Sequence, residues 1–351
     1  MNGLHHIGDL APREVEALVA RALELRDGAA PRRFDGRALG LLFFDSSLRT
    51  QASFQRAAGR LGLDLVQLSG GNGGVWGIET EDGVVMDAGN AEHVREAAAV
   101  LGRYVDVLCV RAFARFQSLA TDLGDPLVNG FRRFAGVPVV NMESALQHPC
   151  QALADRTTLE QLAVPRRAKF VLTWAWHPKA LPHAVPNSAL AMATQRGMEV
   201  VLLRPEGYDL HADVLAEAHA LAEHSGGSLE ITSDRERALR GADVVYAKSW
   251  ASLATWGDAA AETRQRASLR DWCVSADWMA RTDSAHFMHC LPVRRNVVVK
   301  DEVLDGPHSV VIDQAENRLH AQTALLESVF GALERTPRRQ SAARPTLETS
   351  L

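Results

Sequence analysis

At 351 residues, 46% of them hydrophobic and 23% charged, the chain has the make-up of a globular protein but is too long for one typical core, so length alone predicts two domains. A formal net charge of −5 with scattered basic residues excludes a general nucleic-acid binder and leaves a small anionic substrate to be held by local cations. Apolar runs such as Phe170–Trp174 are far too short to span a membrane, Met1–Leu10 lacks the order of a signal peptide, and Cys109, Cys150, Cys273 and Cys290 lie too far apart for a disulfide scaffold or zinc knuckle, so a cytoplasmic protein with reduced, mostly buried thiols is expected.

A helical pattern over Pro12–Arg26 precedes an apolar strand, Ala38–Phe44. A helix over Thr50–Leu61, a strand over Asp64–Leu68 and a helix over His93–Leu101 follow. Strands are predicted next at Val105–Val110, Val137–Asn141 and Lys169–Trp174, then a helix over Ser188–Arg196, a strand at Glu199–Leu203 and a helix over Leu210–His224. The remaining strand candidates are Leu229–Thr232, Asp243–Ala247, His286–His289 and Ser309–Ile312, before a last amphipathic helix from Ala315 to Leu333. This alternation is the signature of an α/β protein with doubly wound parallel sheets covered by helices on both faces. A boundary between domains is predicted near Gln151–Pro165, and Thr336–Leu351, rich in Pro, Arg, Ser and Thr, reads as a disordered tail. The loop Gly70–Gly74 lacks dinucleotide-binding spacing and reads as a mobile loop.

In such sheets ligands sit beyond the carboxyl ends of the strands. The run Asp45-Ser46-Ser47-Leu48-Arg49-Thr50 lies at one of those ends and opens a helix. Hydroxyls, an arginine fork and free helix N–H groups suit a tetrahedral phosphate, although the same run also fits an ordinary N-capped helix. Other polar residues at strand ends are Arg111, Glu143 with His148, His177, Lys248, and Cys290-Leu291-Pro292.

Four segments, Ser47-Leu48-Arg49-Thr50, His148-Pro149-Cys150-Gln151, His289-Cys290-Leu291-Pro292 and Glu316-Asn317-Arg318-Leu319-His320, resemble in order and spacing the aspartate and ornithine carbamoyltransferase superfamily. The resemblance runs from about His6 to Leu333. Segments such as Val75–Glu79, Asn141-Met142-Glu143, His177–Ser188 and Tyr246–Trp250 look like the N-acylornithine branch, and the Ser-Met-Gly loop that binds free ornithine in the ordinary enzymes has no counterpart. The resemblance implies a carbamoyl phosphate-binding domain over residues 1–150 and an N-acylornithine-binding domain over 151–314. A helix over 315–335 packs back on the first domain, residues 336–351 form the tail, and a knot in the second domain involves the loop Pro178–Pro186. It also implies a cytoplasmic homotrimer with shared active sites, in arginine biosynthesis, and no cofactor.

By the same resemblance Arg49, Arg111 and the helix start at Ser47–Thr50 hold the phosphate, with Leu48, Pro149 and Cys150 in the binding loops. Thr50, Arg111 and His148 polarise the carbonyl oxygen, and Gln151 binds the carbamoyl NH2. Main-chain carbonyls of Cys290 and Leu291, turned inward by a cis peptide before Pro292, accept from the attacking amine, and the Cys290 thiol is positional rather than nucleophilic. Trp76 reaches in from a neighbouring subunit and Arg318 contacts the carbamoyl group. Glu143, His177, Lys248 and Arg294 face the acceptor; His5, His6, His183 and His320 have no assigned role, and the histidines are too scattered for a metal site.

Two departures stand out. The residue after Thr50, often arginine in the family, is Gln51, which leaves more of the phosphate charge to Arg49 and Arg111. At the two positions that set the acyl group, a glutamate and a lysine in N-acetylornithine enzymes, the chain carries Ala91 and Val298, which tilts the expectation toward N-succinylornithine because alanine sets no like charge against a succinyl carboxylate. N-acetylornithine, free ornithine and an inactive oligomeric relative are the alternatives.

Overall fold

The computed structural model describes residue 1, residues 3–69 and residues 77–335, so Trp76, the Gly70–Gly74 loop and the tail from 336 lie outside the described residues. The first sheet is built from β1 (Gly3–Leu4), β2 (Ala38–Phe43), β3 (Asp64–Ser69), β4 (Val107–Arg111) and β5 (Val139–Glu143). The second comprises β6 (Lys169–Trp174), β7 (Glu199–Leu203), β8 (Ser228–Thr232), β9 (Val244–Lys248) and β10 (His286–Met288). Both are wholly parallel, in the orders β1-β5-β4-β2-β3 and β8-β7-β6-β9-β10. Helices cover both faces, so central strands such as β4 and β5 are buried throughout, and β4 reads as an apolar run, Val107–Val110, up to Arg111 rather than alternating.

The chain reverses its direction of winding between β2 and β4 in one sheet and between β6 and β9 in the other. Those switch points open crevices at the strands' carboxyl ends. Phe43 pairs with Arg111, and a register shift between Val110 and Arg111 sets Arg111 opposite Glu143. Lys248 ends β9 opposite Trp174 at the end of β6.

The principal helices are α1 (Pro12–Arg26), α2 (Leu48–Leu61), α3 (Val94–Tyr104), α4 (Pro149–Gln161), α5 (Ala184–Arg196), α6 (Ala212–Ser225) and α7 (Val311–Arg335). Every residue of α5 is buried, and it packs on α4, which is itself buried from Pro149 to Leu159. Such all-round burial marks an interior helix rather than an amphipathic one. The last helix, α7, returns to pack on α1, α2 and α4, and Arg21 Nε donates to Glu327 Oε2 at 2.7 Å to hold it there.

Two expectations are corrected. The strand predicted at Ser309–Ile312 does not form: Ser309 makes one isolated bridge to Phe287, and α7 begins at Val311. A short apolar run is ambiguous between strand and buried helix, and with Val311 buried and Ile312 72% exposed this one starts a helix. Because α7 starts four residues earlier than predicted, Arg318 sits two turns inside it rather than at its beginning. The two-residue strand β1 and the short helices Leu119–Gly124 and Pro126–Phe134 were not anticipated. Gly3, at φ +91°, fits against β5 only as glycine, since a Cβ would strike the Val139 carbonyl. Among the described residues no helix is long and apolar enough to cross a membrane, and all four cysteines are buried and unbridged.

Candidate active site

A cavity of about 190 Å³ lies where the carboxyl ends of both sheets converge. Ser47 and Arg49 form one wall. Ser47 caps α2: its Oγ accepts from Thr50 N at 3.3 Å and donates to the Thr50 hydroxyl oxygen at 3.0 Å. The positive end of the helix dipole is thus pinned beside a guanidinium.

Arg111, leaving β4, stacks on the Phe113 ring at 4.5 Å and donates through Nε to the Asp45 carbonyl at 3.2 Å. Its Nη1 donates to Glu143 Oε2, and His148 Nε2 lies 3.2 Å from the same oxygen. His148 is fixed by its main-chain N–H, which donates to Ser188 Oγ at 2.7 Å, so the start of α4 is seated on α5.

From α7, Arg318 closes this end of the cavity, its Nη1 donating to Gln151 Oε1 at 3.1 Å and its Nη2 to Thr50 Oγ1 at 2.7 Å. Residues more than 260 positions apart meet here.

At the other end His289, Cys290 and Leu291 follow β10 into a cis Leu291–Pro292 bond. Leu291 N donates to His289 Nδ1 at 2.9 Å, and His289 N donates to Gln314 Oε1 at 2.9 Å. Lys248, Val298 and the apolar trio Leu181, Pro182 and Val185 complete that end. His177 lines the cavity and accepts at Nε2 from Arg294 Nε at 3.0 Å. The His177 and Lys179 carbonyls are held by Arg266 Nη1 at 2.7 and 2.6 Å, and Arg266 is in turn paired with Glu262 in the interior.

Four cations, Arg49, Arg111, Lys248 and Arg318, face the single carboxylate of Glu143 across this cavity. The buried atoms Arg49 Nε, Arg318 Nε and His148 Nδ1 have no hydrogen-bond partner. An unsatisfied buried donor costs about 1–3 kcal/mol, so the two guanidinium groups favour a ligand rich in acceptor oxygens. Burial, reinforced by Arg111, lowers Arg318 to about 10, which leaves it charged at neutral pH. Burial and the surrounding Arg318, Arg111, Lys248 and Arg49 hold His148 well below the usual histidine range, and burial with Lys248 and Arg49 does the same to His289. Both imidazoles are therefore neutral. Burial raises the Cys290 thiol, against the pull of Lys248, so it stays protonated and is a poor nucleophile.

The remaining predicted residues lie elsewhere. Thr50, Pro149 and Cys150 are buried behind the wall rather than lining it, and Leu48 turns outward, 78% exposed. Arg294 is exposed at the rim, reaching the cavity only through His177. Ala91 is exposed beside a small ladder pairing Ile78–Glu79 with Glu92–His93, and does not line the cavity of its own chain. Residues that the sequence reading passed over are Asp155, Ser188 and Gln314. Asp155 was findable, since it falls one helical turn after Gln151 on the same face of α4; Ser188 and Gln314 carry no local signal.

Family models described as "Aspartate/ornithine carbamoyltransferase, carbamoyl-P binding domain" and "Aspartate/ornithine carbamoyltransferase, Asp/Orn binding domain" match residues 3–161 and 181–329. The chain is 42% identical over 327 residues to an N-acetylornithine carbamoyltransferase of Xanthomonas campestris pv. campestris, covering 92% of this chain and 96% of the relative. It is 40% identical over 330 residues to an N-succinylornithine carbamoyltransferase of Bacteroides thetaiotaomicron, covering 93% and 97%. Among solved structures, an N-acetyl-L-ornithine transcarbamylase mutant with one glutamate replaced by alanine, complexed with carbamyl phosphate and N-succinyl-L-norvaline, superposes with a TM-score of 0.90 at 41% identity, covering 94% of this chain and 100% of that one. The chain therefore belongs to the aspartate/ornithine carbamoyltransferase family, within its N-acylornithine branch.

Proposed function

We propose that the cavity transfers the carbamoyl group of carbamoyl phosphate to the δ-amine of an N-acylornithine, with N-succinyl-L-ornithine the favoured acceptor. The observation that carries this reading is the grouping of unsatisfied guanidinium donors on Arg49 and Arg318 opposite the Cys290–Leu291 turn. The capped start of α2 with Arg49 and Arg111 binds the phosphate. Gln151 Oε1 takes the carbamoyl NH2, and Arg318 bridges it to Thr50. The neutral amine, aimed by the Cys290 and Leu291 carbonyls, attacks the carbonyl carbon. The C–N bond forms, the carbonyl oxygen gathers negative charge, the C–O bond to phosphate breaks, and the departing phosphate takes the amine proton.

Arg111 and His148 reach the developing charge only by turning from Glu143, which both contact in this structure. Incoming phosphate oxygens compete with that carboxylate for Arg111, and the displaced Glu143 faces the acceptor. Lys248 and Arg294 suit acceptor carboxylates.

Support for the succinyl group is the uncharged pair Ala91 and Val298. Val298 is an apolar wall residue, and the relative crystallised with a succinyl ligand has an alanine in place of a glutamate. Because Ala91 does not line its own cavity, the same reading has it serve a neighbouring subunit's site in a homotrimer, with Trp76 alongside. Exposed apolar side chains at Leu48 and Val85, 78% and 76% exposed, are surfaces a partner would cover. We also assign the donor to residues 1–150 and the acceptor to 151–314.

The test is radiolabelled carbamoyl phosphate with equal ornithine, N-acetylornithine and N-succinylornithine. Fastest labelling of N-succinylornithine is expected. Preference for the acetyl form overturns the acyl assignment, and labelling of free ornithine alone overturns the acceptor class. Sedimentation at three times the chain mass checks the trimer.

A further inference from the structure

Asp155 is completely buried one turn beyond Gln151 on α4. Its Oδ1 accepts two amide hydrogen bonds, from Gln151 Nε2 at 2.8 Å and from Gln314 Nε2 at 2.6 Å. Gln314 Oε1 in turn accepts the main-chain N–H of His289. One carboxylate oxygen thus touches the amide at the carbamoyl end of the cavity and the amide that holds the turn at the amine end.

A glutamine side chain is almost symmetric in shape and presents an acceptor at one tip and donors at the other. Turned over, Gln151 would set its oxygen against the Asp155 carboxylate and its NH2 against the Arg318 guanidinium, both repulsive. With Asp155 in place only one orientation survives, the one that offers Oε1 to a donor. Arg318 alone would give a weaker preference, because a ligand draws on the same guanidinium.

We infer that Asp155 is a positioning residue that enforces recognition of the carbamoyl NH2 by locking the Gln151 amide with its oxygen toward the cavity. The inference rests on the assignment of Gln151 to that NH2. It explains why a carboxylate is kept in so dry a place, where burial raises it to about 6 with the Tyr246 hydroxyl and both amides at hand. Two N–H donors to one oxygen offset part of that penalty.

The readout is donor discrimination. Carbamoyl phosphate and acetyl phosphate differ by NH2 against CH3, and inorganic phosphate has neither, so dissociation constants for the three, measured by calorimetry on the full chain, separate the amide's contribution from that of the phosphate loop. Asp155→Leu removes the acceptor while filling the space. It is expected to weaken carbamoyl phosphate at least tenfold and to leave acetyl phosphate and inorganic phosphate within twofold. Asp155→Asn keeps an oxygen for both amides and is expected to retain the wild-type preference. Parallel weakening of all three ligands in Asp155→Leu, or no change in any, overturns the inference, as does loss of preference in Asp155→Asn. If Asp155→Leu does not fold, Asp155→Ala carries the same test, since water admitted to its cavity pairs with either tip of the amide. Gln151→Ala separates the two layers. If that variant keeps the carbamoyl preference, the assignment of Gln151 fails; if it loses the preference while Asp155→Leu keeps it, only the role of Asp155 fails.

Discussion

The end of the cavity assigned above to the donor and the end assigned to the acceptor are built differently. At the donor end each polar side chain is anchored in regular structure: Ser47 at the cap of α2, Arg111 at the end of β4, Gln151 in the first turn of α4 and Arg318 within α7. They are joined by hydrogen bonds within the interior. At the acceptor end His177 and Arg294 sit on loops, Arg294 is exposed, and their one mutual contact is at the rim. A rigid constellation suits a step whose charge develops at fixed atoms, whereas loops let relatives exchange acceptors without disturbing the chemistry.

Breaking the donor end should give the largest loss. Arg49→Ala removes a cation from the phosphate wall and is expected to lower kcat/KM by roughly 10²–10³, the range typical of one lost transition-state donor. A loss under tenfold in steady-state assays would mean that the two ends are not unequal in the way described.

Acidity should strike next, through buried histidines at both ends of the cavity and outside it. His148, His183 and His289 are held neutral by burial, with folded pKa values below the ordinary 6.5 of a histidine. Below pH 6.5 the unfolded chain takes up protons that the folded one refuses, so the stability these groups contribute above 6.5 is lost as pH falls. Each costs about 1.4 kcal/mol per pH unit. Asp125 and Asp155, both raised to about 6 by burial, act in the opposite sense by taking protons in the folded state. The histidines held down by burial, which also include His5 and His177 at about 4, outnumber the two carboxyls, so a net loss of stability is expected at pH 5.5 relative to pH 7.5. Thermal melts at the two pH values should show the lower Tm at pH 5.5, and an unchanged or higher Tm would contradict the neutral assignment.

The acceptor end is sharpened by adding charge. Ala91→Glu should depress use of N-succinylornithine about tenfold through like-charge repulsion while sparing N-acetylornithine. An unchanged ratio of the two kcat/KM values would remove Ala91 from specificity. The smallest effect belongs to Gln51→Arg. Gln51 is exposed on the first turn of α2, so a cation there should tighten carbamoyl phosphate by only about two- to fivefold, as befits a screened charge. Gain beyond tenfold would show that the phosphate wall is incomplete without it.

This asymmetry also governs what could be read from sequence. Ser47–Thr50, Arg111, His148–Gln151 and Lys248 were visible because each follows an apolar strand and the chemistry is local to a strand end. Most strand positions were visible for the same reason. Ser309–Ile312 failed because three apolar residues carry no period. Ser188 and Gln314 carry no local signal, since their roles exist only where α4, α5 and α7 touch, and Thr50, for all its place in the strand-end motif, is bonded by Arg318 and lies behind the wall. Ala91 was picked out by resemblance alone, and its place outside its own cavity has no counterpart in any local pattern.

The long-range closure by α7 has a consequence for synthesis. Arg318 and Gln314, which tie Thr50 to Gln151 and Asp155 to His289, arrive on the last helix described. A chain emerging from the ribosome can complete both sheets and still lack the guanidinium that finishes the donor wall. Carbamoyl phosphate bound at the proposed site would therefore meet a complete set of donors only once translation has reached α7, and a fragment ending before that helix should bind it more weakly than the full chain and gain less stability from it.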